Sequence, residues 1–92
     1  MAQSAALANV SASATSVAVF AAEGDTNLLA RSVFNDSAAI LYLKFGATAS
    51  TTSYTVQVPA FGYFEFPLPL YDGLVHGIWS SATGTARTTE VA

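Results

Sequence analysis

From Thr15 onward, apolar and polar positions alternate over short stretches separated by turn residues, the period-two signature of half-buried β-strands. Val17 and Val19 alternate with Ser16 and Ala18 and predict a first strand to about Ala22, closed by the polar turn Glu23-Gly24-Asp25-Thr26-Asn27. Leu28 to Phe34 forms a second strand. Asn35-Asp36-Ser37 then signals a turn, because Asn and Asp side chains bond their own backbone and tolerate left-handed dihedrals. Ile40 to Phe45 places Leu41, Leu43 and Phe45 on one face and Ile40, Tyr42 and Lys44 on the other. Both faces are largely apolar, which predicts a central strand. After the small polar loop Gly46–Thr52, Tyr54 to Val58 is a fourth strand, Pro59-Ala60-Phe61-Gly62 a tight turn with Gly near its end, and Tyr63 to Phe66 a fifth strand. Pro67-Leu68-Pro69-Leu70 cannot sit in a central ladder, since each Pro lacks a donor, and reads as a corner. Leu74 to Ser80 and Ala86 to Val91 complete the set, with turns at Tyr71-Asp72-Gly73 and Ala82–Thr85. About seven short strands at this spacing predict an all-β fold, a small antiparallel β-sandwich or barrel over residues 15–92. Residues 1–14 show no sustained alternation and read as an N-terminal arm, extended or partly ordered and able to dock on a neighbour.

Composition changes the picture in one direction. A chain of 92 residues has room for one domain and buries only about 60–65% of its unfolded surface, a thin margin. It contains no cysteine, which excludes disulfides and thiolate metal sites, and its single histidine, His76, makes an all-protein zinc site implausible; no cofactor is expected. A domain this small then draws support from a partner. Charged residues are 10% of the chain, against about 25% in an ordinary domain, while hydrophobic residues are 52% and Ser and Thr number ten each. Such a surface suits a protein packed against copies of itself or a larger body. The net charge is -3, and Arg31, Lys44 and Arg87 are too few and too scattered to track phosphates, so nucleic acid is not an expected partner. No apolar stretch approaches the roughly 20 residues that span a membrane. The first 14 residues lack the basic start of a signal peptide, so the protein is expected to be made and used in a cytoplasm.

Candidate chemistry is sparse, and the expectation is a binding or assembly protein rather than an enzyme. His76 lies between Val75 and Gly77 on a strand with no nucleophile motif nearby, and reads as a structural or interface histidine. Glu23 and Asp25 flank Gly24 but lack the further oxygen ligands of a calcium loop. Glu65 and Asp72 are the central acids available for a carboxylate pair, and sequence alone does not bring them together. The aromatic residues are more informative. Phe64 and Phe66 are expected in the core and Trp79 as a buried anchor, while Phe61, Tyr63 and Tyr71, with Leu7 and Val10 of the arm, are the candidate partner contacts.

Several runs carry a resemblance: Val33-Phe34-Asn35-Asp36-Ser37, Leu41-Tyr42-Leu43-Lys44-Phe45-Gly46, Ser53-Tyr54-Thr55-Val56, Gly62-Tyr63-Phe64-Glu65-Phe66-Pro67 and Gly77-Ile78-Trp79-Ser80-Ser81-Ala82-Thr83-Gly84. On these, Leu28 to Glu90 resembles a family of small virion proteins encoded in the structural modules of tailed bacteriophages. The resemblance implies a structural part of a phage particle. The leading role is a capsid decoration (cement) protein that binds the major capsid protein, forms homo-oligomers and resides in the virion after assembly in the host cytoplasm. The alternative is a head-tail or tail-associated protein, including a receptor- or glycan-binding tip using Tyr63, Tyr71 and Trp79. A small hydrolase using Glu65 or Asp72 is a third, weaker possibility.

Overall fold

A computed structural model describes residues 3–23 and 27–92. The described chain is all-β, with eight strands in order: β1 (Ala5–Ser11), β2 (Val17–Phe20), β3 (Ala30–Asp36), β4 (Leu41–Phe45), β5 (Val56–Val58), β6 (Tyr63–Glu65), β7 (Val75–Trp79) and β8 (Thr85–Val91). They form two four-stranded antiparallel sheets, β1-β8-β3-β6 and β2-β7-β4-β5. The alternation in the sequence becomes alternation in burial. In β7, Val75, Gly77 and Trp79 are buried while His76 and Ile78 are half-exposed. β4 lies between β7 and β5, the interior place its two apolar faces predict. Gly77 is required there by space: a Cβ would lie 2.8 Å from Val19 Cγ2 and 2.9 Å from Leu41 Cδ1.

Two elements differ from expectation. Residues 5–11 of the arm are extended as expected, but they take their partner from this chain, pairing with β8 from Ala5↔Val91 to Ser11↔Thr85. The strands therefore number eight. Alternation is silent here because every β1 residue except Val10 is exposed on whichever face it occupies. The second difference is at Asn35 and Asp36, which end β3 instead of forming the turn. Asn35 is fully buried and spends its side chain across the sandwich. Its Nδ2 donates to the carbonyls of Ala39 (2.8 Å), Val58 (3.1 Å) and Pro59 (3.0 Å), and its Oδ1 accepts from Trp79 Nε1 (3.1 Å). Ser37 makes the turn, its Oγ accepting from the Ala39 amide and donating to the Thr83 carbonyl.

The core between the sheets is built on Trp79, Leu41, Leu43, Val33, Val58 and Val75. At one end an aromatic line runs Tyr71–Phe45–Phe66–Phe20, with ring centroids 4.8, 4.8 and 5.3 Å apart. The Arg31 guanidinium caps it, 4.8 Å above the Phe20 ring. Arg31 has no exposed surface, and all five of its N–H groups are used. Nε donates to Glu90 (2.8 Å), Nη1 to the carbonyls of Tyr71 and Gly73, and Nη2 to those of Ala21 and Asp72. The outer ion pair, Arg87–Asp36, is exposed by comparison.

Two stability predictions follow from this contrast. Arg31→Met strands four carbonyls and a carboxylate and should cost about 3–5 kcal/mol, whereas Arg87→Met should cost less than about 1 kcal/mol. Trp79→Ala should cost about 3–5 kcal/mol through its cavity and the orphaned Asn35 oxygen. Chemical denaturation of the three variants beside the parent measures both.

Candidate functional site

Two of the exposed large apolar side chains, Leu7 and Tyr63, lie on the outer face of the first sheet, while Leu29, Ile40 and Tyr54 lie outside it. Register sets this face out in rows: Leu7, Thr89, Ser32 and Glu65 across one level, Asn9, Arg87, Phe34 and Tyr63 across the next. The charge in the middle of this face is neutralised, because Arg87 Nε binds Asp36 at 2.8 Å and Nη1 reaches Asn9 at 3.2 Å. Leu7 is 77% exposed at the β1 edge, and Tyr63 is 61% exposed at the β6 edge beside half-buried Phe34. Three strand spacings, about 14 Å, separate the two edges.

Phe61 stands beside Tyr63, also 61% exposed, on the turn that feeds β6. That turn is closed by the Gly62 amide on the Pro59 carbonyl at 2.9 Å. Gly62 is needed for closure, since a Cβ would lie 2.7 Å from the Pro59 ring and 2.9 Å from its carbonyl oxygen. The left-handed residue is nonetheless Phe61, with φ at 56°. Turns put Gly or Asn at such a position, and a side chain there costs about 1–2 kcal/mol. Three bonds hold the arrangement: Asn35 Nδ2 on the Pro59 carbonyl, the Asn35 amide on the Gly62 carbonyl, and the Phe61 amide on the Ser37 carbonyl. The fold thus keeps a bulky ring at a strained position and presents it to solvent. Leu68, 78% exposed between Pro67 and Pro69, follows β6.

The other candidates are placed as follows. Tyr71 is half-buried, stacked on Phe45 with its hydroxyl donated to the Leu74 carbonyl, and Val10 packs against the core; both serve packing. Trp79 is buried, as expected of an anchor, which removes it from any sugar-stacking tip. Phe66 is buried and Phe64 packs against the core, also as expected. Glu65 is exposed and accepts from the Tyr63 hydroxyl at 3.4 Å, while Asp72 contributes backbone carbonyl bonds to Arg31 and the Glu23 amide. Gly24 and Asp25 lie outside the described residues, and Glu23 is half-buried. Among the described residues, no three His, Asp or Glu side chains gather into a metal-binding group. His76 Nδ1 lies 2.9 Å from Ser16 Oγ, which also accepts the Ala49 amide. Its cross-strand neighbours are Ala18 and Lys44, so the pair ties the segment before β2 to β7 and to Ala49. Ser16 had no motif to mark it.

No family model, curated protein or solved structure matches the chain.

The exposed corner should be neutral for folding. Phe61→Gly, which relieves the left-handed strain while freeing the unfolded chain, should stay within about 1 kcal/mol of the parent, and Tyr63→Ser likewise. A ring packed into the core would cost several times that. Thermal melts of both variants make the comparison.

Proposed function

We propose that this protein is a structural component of a bacteriophage virion, a decoration protein that docks on the outer face of an assembled capsid and helps hold neighbouring subunits of the major capsid protein. The observation that carries the reading is Phe61, an exposed aromatic ring at a left-handed position of the turn where glycine or asparagine would be less strained. Strain of this kind persists where it is part of a function. Phe61, Tyr63 and Leu68 are exposed close together along the chain of a domain with little charge, and desolvating such apolar surface costs less than desolvating a charged one. The sequence resemblance to phage virion proteins supplies the kind of partner. Many modest contacts repeated over a shell hold it without any single strong one. Exposed Tyr63, whose hydroxyl meets Glu65, favours the alternative of a tail-associated glycan-binding module, since an exposed aromatic ring can stack on a sugar and a carboxylate can accept from its hydroxyls.

Copy number separates the two. Densitometry of purified particles should give hundreds of copies for a shell protein; a handful would transfer the reading to the tail. A Phe61→Gly/Tyr63→Ser double variant should fold and lose attachment to undecorated shells. Undiminished attachment of that variant would remove the aromatic corner from the interface.

A further inference from the structure

Two four-stranded sheets have four edge strands, and each edge offers backbone donors and acceptors to whatever lies beside it. Three of these edges are blunted. β6 is three residues long, carries Glu65 and leads into Pro67 and Pro69. β5 is also three residues long and runs into Pro59. β2 has four residues, and its register with β7 shifts between Ala18 and Phe20. β1 has none of these devices: it is seven residues long, regularly paired with β8 throughout, and contains neither charge nor proline.

Among the described residues, the pairing identifies which β1 backbone groups are free. Ser4 and Ala92 exchange both hydrogen bonds at 2.9 Å, and the Ala12 amide donates to the Gly84 carbonyl at 3.0 Å. Hydrogen-bonded pairs recur at every second residue of an antiparallel ladder, so Ala6, Ala8 and Val10 turn their N–H and C=O groups toward β8. Ala5, Leu7, Asn9 and Ser11 turn theirs outward, toward the open edge.

We propose that β1 pairs antiparallel with β1 of a second copy about a two-fold axis at Ala8, joining the two first sheets into one continuous sheet. With the axis there, Leu7 faces Asn9 of the second copy and Ala5 faces Ser11 of the second copy. Every outward donor then meets an outward acceptor. An axis at Leu7 or Asn9 would leave one outward residue of each strand beyond the end of the other. The closest side-chain approach falls where the side chain is smallest, since Ala8 meets Ala8 of the second copy as a non-hydrogen-bonded pair with Cα atoms about 4.5 Å apart. No like charges meet, because Arg87, the cation bonded to Asn9, is already neutralised by Asp36. The seam is short beside a standard interface of about 1,600 Å², so the free dimer is weak and tightens when copies are held side by side. This names the self-contact within the association proposed above and rests on that reading for its setting. It is tested in solution without shells, so its failure and the failure of shell attachment are read separately.

Sedimentation equilibrium of the full chain from micromolar to millimolar concentration should show a monomer–dimer equilibrium. Ala8→Cys, the sole cysteine in its chain, should give a disulfide-linked dimer on mild oxidation, whereas Ala6→Cys, which would face Val10 of the second copy, should give little. Leu7→Lys should retain the parent's melting temperature and weaken the dimer severalfold. A chain that stays monomeric at millimolar concentration, crosslinking of Ala6→Cys as readily as Ala8→Cys, or a Leu7→Lys variant that dimerises like the parent would each overturn the proposal.

Discussion

The Arg31 guanidinium has five N–H groups and no contact with water, so the protein itself must supply every acceptor. Those acceptors come from three separate places: the segment after β2, the loop before β7, and β8. Loops that would otherwise be free at one end of the sandwich are thereby tied to β3. Asn35, four residues on and facing the same way, does the same at the other end with Ala39, Val58, Pro59 and Trp79. Between them lies Val33, an ordinary core residue. A one-residue slip of β3 would turn both polar groups out to solvent and bring Ser32 and Phe34 in, while a two-residue slip would leave buried donors unmet. An apolar core of Val, Leu and Phe tolerates approximate packing. These two side chains do not, and they restrict β3 to one register.

Much of the strand pattern was legible in the sequence, because a half-buried strand writes its own period. The strands from β3 onward lie within two residues of their expected ends. The same alternation also held a signal that composition obscured. Arg31 and Asn35 stand at the i−2 and i+2 positions of Val33 and so share its inward face, yet Arg31 counts as a surface cation and Asn35 as a turn residue when taken alone. β1 was not legible as a strand, since its pairing with β8 joins residues about eighty positions apart and both its faces are exposed. Nor was the left-handed backbone of Phe61. Gly62 is the natural candidate for a positive φ, but its glycine is consumed by the close approach of Pro59.

Core and surface are connected through a short chain of bonds. Trp79 orients Asn35, Asn35 holds the Pro59–Gly62 turn through one side-chain and one backbone bond, and that turn fixes where the Phe61 ring points. The most buried aromatic residue and one of the most exposed are therefore two bonds apart. This limits where specificity can be altered without unfolding. A change at Asn35 affects both ends of the relay, whereas the exposed Phe61 side chain can vary with less effect on folding, within what a left-handed backbone accepts.

Low charge on a β-protein ordinarily invites open-ended edge-to-edge growth. Growth of that kind needs two open edges on one molecule, so that a strand added at one leaves another for the next copy. Here the first sheet is open at β1 and closed at β6, where Glu65 and two prolines follow a strand of three residues. The second sheet is closed at both sides, by a register shift at β2 and by Pro59 after β5. One open edge per molecule would permit a single isologous contact and then stop, so under the proposed pairing a chain of low charge would form a closed dimer instead of a fibre. The apolar corner at Phe61 and Tyr63, at the far edge of the same sheet, stays outside that contact. A paired molecule would carry two such corners, one on each side of the axis, and could engage two neighbouring sites on a larger body at once, which raises the effective concentration of each contact.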